Sequence, residues 1–169
     1  MAETLEQALH DEVMPKAHRL LTLACKRDLM IATAESCTGG LLAALLTDIP
    51  NCSHAFERGF VVYSAEAKSE LLSIPPERIT RFGVVSREIA IDMALGALSA
   101  SRADIALSVT GFAGPGLDGD EEGLVHLACA RRNAPTDHRE EHFGAIGRAG
   151  IRRATIDVAI DMLERAVLL

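Results

Sequence analysis

A chain of 169 residues is long enough to fold as one domain that buries roughly 70% of its unfolded surface without disulfides or metal ions. Its residues are 49% apolar, but it has one Tyr, five Phe and no Trp, so we expect a core of aliphatic side chains. The net charge of −7 disfavours a nucleic-acid partner, because a basic surface supplies most of the affinity for a phosphate backbone.

The cysteine pattern and the absence of long apolar runs indicate a cytoplasmic protein. The cysteines show neither a CxxC pair nor the spacing of metal ligands, and we expect reduced thiols at Cys25, Cys37, Cys52 and Cys129. We expect no secretion signal and no membrane span, since no apolar run approaches about 18 residues. The histidines form no metal-binding pattern, so we expect neither a metal nor a cofactor; monomer and homo-oligomer both stay open.

The first half of the chain alternates between short apolar strands and helices. Residues 3–28 have helical periodicity, in which Pro15 predicts a kink or a break. The next predicted elements are a strand at Leu29–Ala34, a helix at Leu41–Leu46, a strand at Phe60–Tyr63 and a helix at Ala65–Leu72. This alternation requires parallel strands with helices on both faces of the sheet.

The second half starts with a helix and ends with strands joined by short connections. Ser86 is the predicted N-cap of a helix that reaches about Ser101. The later predictions are strands at Ile105–Val109, Leu124–Ala130 and about Arg139–Phe143, and a helix over roughly Ile151–Leu168. The tight turn at Asn133–Asp137 indicates one antiparallel neighbour. We therefore predict an α/β fold: a three-layer α/β/α sandwich with a mixed, mostly parallel sheet of about five strands, formed by one domain over residues 1–169 with residues 1–28 packed on it.

Ser36 is the first candidate for chemistry, because it lies in a predicted sharp turn between a strand and a helix, within Thr33–Gly40. Free backbone N–H groups in such a turn can stabilise an oxyanion or hold a phosphate. The alternative is that Ser36 or Thr38 only caps the helix. Cys37 is a rival nucleophile, but no histidine stands nearby in the sequence to activate it, which favours a buried packing thiol.

Tyr63 and Lys68 are the second candidate pair, at the start of the helix that follows the second strand. If Ser64 is the N-cap, they occupy positions N′ and N4, whose side chains touch. Partial burial near the positive helix end predicts a lowered pKa for the Lys68 amine, and a neutral lysine can deprotonate a serine. The alternative is a surface lysine whose stem lies on Tyr63.

Two further segments could bind a ligand. Thr110–Gly116 follows a buried strand, and its glycines permit close approach of a ligand to the backbone, although a plain surface loop fits the same pattern. Near the last helix, Arg148, Arg152 and Arg153 can reach a phosphate or form ordinary surface ion pairs. Three candidate segments follow predicted strands, and they are expected to meet at one edge of the sheet: Thr33–Gly40, Tyr63–Lys68 and Thr110–Gly116.

Together these segments resemble the CinA C-terminal domain family, the competence/damage-inducible proteins whose characterised members are nicotinamide-nucleotide amidases. The match runs from about residue 30 to the C-terminus, in order and at the family spacing. Its pieces are Ala34–Gly40, Tyr63 with Lys68, Gly83–Ser86, Ala103–Gly111, Gly114-Pro115 and Ile151-Arg152.

The resemblance implies an amide hydrolase that converts nicotinamide mononucleotide to nicotinate mononucleotide and ammonia in pyridine nucleotide salvage. It implies that Ser36 is the nucleophile, Lys68 its base and Tyr63 a proton-relay or positioning partner. The implied substrate contacts are Thr38, Gly39, Gly40, Thr110 and Gly111, with Arg152 on the phosphate of the nucleotide. The alternative is a non-catalytic nucleotide-binding or regulatory domain on the same scaffold.

Two loops depart from the family pattern. Glu121–Val125 stands where the family usually has Pro-Val-Gly-Thr-Val, and Ile146–Arg148 stands where it has Gly-Asp-Arg. Both loops are expected to touch substrate, so the sequence leaves the exact nucleotide open.

Overall fold

A computed structural model describes residues 13–169 as a five-stranded sheet covered by helices. The strands are β1 (Ile31–Glu35), β2 (Phe56–Val61), β3 (Ile105–Gly111), β4 (Leu124–Arg131) and β5 (Asp137–His142). The helices are α1 (Met14–Lys26), α2 (Leu41–Thr47), α3 (Ala65–Leu72), α4 (Pro76–Phe82), α5 (Arg87–Ser99) and α6 (Gly147–Leu168), with a short 3-10 helix at Ser53–Ala55.

The strand order in the sheet is β2-β1-β3-β4-β5. β1 pairs in parallel with both β2 and β3, whereas β4 pairs antiparallel with both β3 and β5. Within this sheet β4 alone therefore runs against the other strands. The predicted mixed, mostly parallel sheet of a three-layer α/β/α sandwich is confirmed. The antiparallel pairing predicted from the turn at Asn133–Asp137 is that of β4 with β5, and the structure adds a second one, of β4 with β3.

Two apolar clusters separate the sheet from its helical layers. Alternate residues of β3 point to opposite faces, so Leu107 packs toward α1, α2 and α6, while Ala106 packs toward α5. Small side chains on the α5 face, such as Ala34 and Ala128, let α5 lie close to the sheet. The core is aliphatic, as the composition predicts.

The boundaries of several elements differ from the predictions. Pro15 lies in the first turn of α1, where its missing N–H costs no hydrogen bond, so the described helix begins at this proline and is not kinked by it. Residues 3–12 of that prediction lie outside the described residues. β2 begins at Phe56, earlier than predicted, because it is an edge strand whose polar residues interrupt the apolar pattern. α6 also begins earlier, at Gly147.

One helix, α4, was not predicted. The signals for it are present in the sequence: Pro76 in its first turn, Glu77 near its positive end and Gly83 just after its last residue. Pro75-Pro76 indicated the end of α3, and the same pair also starts the next helix.

Candidate active site

The loops after β1, β2 and β3 meet at one edge of the sheet. The Ser36 N–H, directly after β1, donates to the Val109 carbonyl of β3 at 3.0 Å. Lys68, in the helix that follows β2, reaches Ser36 with its amine. The expected convergence of the three candidate loops is therefore found in the structure.

Ser36 and Lys68 form a buried pair. Lys68 Nζ lies 3.1 Å from Ser36 Oγ, and it also donates to the Val62 carbonyl at 2.8 Å and to the Tyr63 carbonyl at 3.5 Å. Lys68 is fully buried, so the alternative of a surface lysine is wrong. Burial lowers the pKa of the Lys68 amine from its ordinary value of 10.5 to about 8.

The two carbonyls determine what a neutral Lys68 can do. A neutral amine keeps two N–H groups and one lone pair. When the N–H groups donate to Val62 and Tyr63, the lone pair is left for the hydroxyl hydrogen of Ser36. The pair is thus arranged for proton transfer from Ser36 to Lys68.

The start of α3 explains how Lys68 comes to lie inside the protein. Ser64 is the N-cap, as predicted, and its Oγ accepts from the Ala67 N–H at 3.0 Å. Lys68 then follows one turn later on the inward face. The predicted side-chain contact between Tyr63 and Lys68 is not what positions the amine: Tyr63 is 70% exposed, and the amine contacts its carbonyl.

A carboxylate that sequence reasoning missed holds the turn around Ser36. Glu35 is buried, and its carboxylate accepts hydrogen bonds from Thr38 Oγ1 (2.7 Å) and from the N–H groups of Gly40 (3.2 Å), Leu42 (3.0 Å) and Ala43 (2.8 Å). The alternative, that Ser36 or Thr38 caps α2, is therefore wrong, because Glu35 satisfies these N–H groups. An acidic residue just ahead of a helix start was the available signal.

The N–H groups of Cys37 and Thr38 have a different environment. Neither donates to a carbonyl or carboxylate oxygen of residues 13–169. They lie in the turn directly after Ser36, where a developing oxyanion needs donors. The N–H groups at the start of α2 are thus engaged, and the candidate donors of the turn are those of Cys37, which lies against its own thiol, and Thr38.

Cys37 is buried, and burial raises the pKa of its thiol to about 11. A thiol of this kind stays protonated near neutral pH and is a poor nucleophile. Its carbonyl accepts a hydrogen bond from Arg152 Nε at 2.8 Å. Arg152, the phosphate contact implied by the resemblance, therefore binds the backbone of the Ser36 turn.

A cavity of about 390 Å³ lies beside this turn. It is lined by Cys37, Tyr63, the glycine loop Gly111–Leu117, Asp120 and Arg148. The glycine loop thus faces a cavity. Arg148 lies close to Gly114, since a Cβ atom at Gly114 would be 2.9 Å from Arg148 Nη2. Arg148 is the arginine that lines the cavity.

The remaining predicted contacts hold loops in place. Thr110 is buried, and its Oγ1 donates to the Val84 carbonyl at 2.7 Å. Gly111 lies against β4, where a Cβ atom would be 2.7 Å from the Leu124 carbonyl oxygen. Gly39 faces Arg152, which would lie 3.6 Å from a Cβ atom there.

Residues 13–169 lack the arrangements that a metal centre or a helical membrane span requires. In this part of the chain no group of three His, Cys, Asp or Glu is placed to hold a metal ion. None of its helices combines the length and apolar character needed to cross a membrane. The four cysteines have free thiols.

Comparison with known proteins decides the family. The sequence profile described as the CinA C-terminal domain matches residues 14–167. This chain belongs to the CinA C-terminal domain family. The crystal structure of competence/damage inducible protein CihA from Agrobacterium tumefaciens is similar, with a TM-score of 0.88 and 46% identity over 92% of this chain and 95% of that one.

Relatives with this domain carry two kinds of name. A nicotinamide-nucleotide amidohydrolase PncC of Escherichia coli is 41% identical over 144 residues, which cover 84% of this chain and 87% of that protein. A putative competence-damage inducible protein of Acetivibrio thermocellus is 41% identical over 174 residues, covering 99% of this chain. The chain spans only 41% of that relative's length, and 38% of a similar one from Caldicellulosiruptor saccharolyticus.

Proposed function

We propose that this CinA-family chain is a nicotinamide-nucleotide amidase, which converts nicotinamide mononucleotide to nicotinate mononucleotide and ammonia. The observation that carries the proposal is the contact of 3.1 Å between Ser36 Oγ and the buried Lys68 amine, beside a cavity of about 390 Å³. Relatives named as nicotinamide-nucleotide amidohydrolases support the choice of substrate.

The first half of the proposed reaction forms an acyl-enzyme. Neutral Lys68 takes the hydroxyl proton as Ser36 Oγ attacks the carbonyl carbon of the carboxamide. The oxyanion that develops accepts hydrogen bonds from the N–H groups of Cys37 and Thr38. Protonated Lys68 then gives its proton to the amide nitrogen, the C–N bond breaks, and ammonia leaves.

The second half releases the acid. Neutral Lys68 removes a proton from a water molecule, whose oxygen attacks the ester carbon bound to Ser36. The C–Oγ bond breaks, Ser36 regains a proton from Lys68, and the product carries a carboxylate in place of the amide. No cofactor takes part in this scheme.

The nucleotide is placed in the cavity, with its nicotinamide ring toward Ser36. Tyr63 lines the entrance with an exposed ring and is assigned a positioning role against the substrate. Thr38 and Thr110 act through the loops they hold, since their hydroxyls already donate to Glu35 and Val84. Gly39, Gly40 and Gly111 shape these loops by letting the backbone lie close to Arg152, Val61 and β4.

The phosphate is expected to bind Arg148 in preference to Arg152. Arg148→Ala should raise KM for nicotinamide mononucleotide about tenfold, the lower end of what a charged hydrogen bond contributes, because Arg148 is exposed. Nicotinamide riboside, which lacks the phosphate, should respond little to this change. Arg152→Ala should instead lower kcat for both substrates, because Arg152 holds the Cys37 carbonyl. Steady-state kinetics of both variants on both substrates test this assignment, and the reversed pattern would return the phosphate to Arg152.

The function itself is tested by incubating the purified chain with nicotinamide mononucleotide. Ammonia and nicotinate mononucleotide are expected in equal amounts, measured by an enzymatic ammonia assay and by chromatography. Binding of the nucleotide without release of ammonia would favour the alternative, a non-catalytic nucleotide-binding domain.

A further inference from the structure

The position of Ser36 Oγ depends on a short turn between β1 and α2. Two backbone hydrogen bonds involve Ser36 in this turn: its N–H donates to Val109, and its carbonyl accepts from the Gly39 N–H at 3.1 Å. Gly39 and Gly40 both have positive φ, at 63° and 96°. Neither bond involves a residue of α2. Other contacts must therefore attach the first turn of α2 to the end of β1.

Glu35 makes that attachment. Its main-chain carbonyl accepts from the Val62 N–H at 2.8 Å, so its backbone belongs to the sheet. Its carboxylate reaches over the turn to the N–H groups of Leu42 and Ala43 in α2. One residue therefore connects the strand that precedes Ser36 to the helix that follows it.

A capping role alone does not account for a carboxylate here. A helix N-terminus is usually satisfied by a short Ser, Thr, Asp or Asn side chain at the N-cap itself, which here is Gly40. Both oxygens of Glu35 are used, and its four donors are neutral groups. Burial of a charge is costly unless several hydrogen bonds compensate it, so this arrangement favours a role in the geometry of the turn.

We propose that Glu35 is a positioning residue whose carboxylate fixes the Ser36 turn, and so keeps Ser36 Oγ within hydrogen-bond distance of Lys68 Nζ. The inference rests on the proposed function, in which Ser36 is the nucleophile. A displacement of the reacting atoms by about 1 Å lowers a rate by roughly a hundredfold. Loss of the Glu35 clamp thus acts on the rate of reaction at Ser36.

The test measures the reactivity of Ser36 without any nucleotide. A fluorophosphonate reacts with an activated serine: Oγ bonds to phosphorus, fluoride leaves, and Lys68 takes the hydroxyl proton. We expect Glu35→Gln to lower the second-order rate constant for labelling by roughly tenfold to a hundredfold. The amide of glutamine keeps one accepting oxygen and turns N–H groups toward the donors of the turn.

Asp104→Asn is the matched control. Asp104 Oδ2 accepts from the Met30 N–H at 2.9 Å, at the end of β1 opposite to Ser36. The same loss of a carboxylate should leave labelling within about twofold of the original rate. The pH midpoint of labelling should stay the same in both variants, because Lys68 remains the base. The inference would be overturned if Glu35→Gln were labelled as fast as the unchanged chain, or if Asp104→Asn lost as much labelling rate as Glu35→Gln. A shifted pH midpoint of labelling in Glu35→Gln would also overturn it.

Failure of the proposed function gives a different result. If Ser36→Ala is labelled as fast as the original chain, Ser36 is not the nucleophile. The role of Glu35 is then decided by a crystal structure of Glu35→Gln, in which the distance from Ser36 Oγ to Lys68 Nζ is expected to exceed 3.5 Å. An unchanged distance of 3.1 Å in that structure would overturn the inference.

Discussion

Ser36→Ala should fold normally and lose hydrolysis of nicotinamide mononucleotide by about a thousandfold or more, as deletions of a nucleophile do. The change removes only Oγ, which accepts from Lys68 and has no other partner among the side chains that the structure describes. Ammonia release under saturating substrate measures the loss. Thermal unfolding should show that the fold is retained.

Cys37→Ala is the control for this variant. Cys37 is the neighbouring residue and is also buried, but its raised thiol pKa of about 11 keeps it protonated near neutral pH. The variant should therefore keep most of the activity. Retained activity in Ser36→Ala together with its loss in Cys37→Ala would replace the serine mechanism with a thiol mechanism.

Lys68→Met should be as inactive as Ser36→Ala, because methionine fills a similar volume and offers no base. The two residues act as one unit, so the double variant should be about as inactive as either single variant. Losses that add on a logarithmic scale would mean that Lys68 contributes to binding and not to proton transfer.

The pH dependence of activity follows from the same amine. Since the lowered pKa of Lys68 is about 8, activity should fall as the pH drops below this value and the amine becomes protonated. The profile of kcat/KM against pH in the original chain measures the midpoint. A midpoint near the carboxylate range would point to a different base.

Lys68 should also make folding depend on pH. Between about pH 8 and pH 10.5 the unfolded chain binds a proton at this lysine that the folded chain does not, so the unfolding free energy rises with pH across that window. The expected rise is about 3 kcal/mol, at about 1.4 kcal/mol for each pKa unit. Lys68→Met should lack it.

The difference between the two chains is the quantity to measure in that experiment. Buried thiols such as Cys37 and Cys129 have raised pKa values and so lower stability at high pH in both chains. Denaturant unfolding at several pH values gives both curves, and their difference isolates Lys68. Parallel curves would mean that the amine keeps its ordinary pKa in the folded protein.

The sequence alone determined the order of the strands and of the helices other than α4, and the edge of the sheet where the candidate residues meet. Apolar runs such as Ile105–Val109 and the N-caps Ser64 and Ser86 are local signals, so the main strands and α3 and α5 were predictable from neighbouring residues. Ser36 and Lys68 were singled out by the family motif. Spacing alone did not distinguish a catalytic site from a helix-capping Ser36 and a surface Lys68.

Only the tertiary structure decided which polar groups meet and which are buried. Lys68 is inside because α3 packs its N-terminal turn against the end of β1, a contact that the sequence of α3 does not contain. The role of Glu35 depends on a turn that brings the N–H groups of α2 back over its side chain. Arg148 and Arg152 differ by one helical turn, and only the packing of α6 beside the glycine loop places the first in the cavity and the second on the Cys37 carbonyl. The contacts of Lys68 and Arg152 join residues far apart in the chain, so no local pattern reveals them.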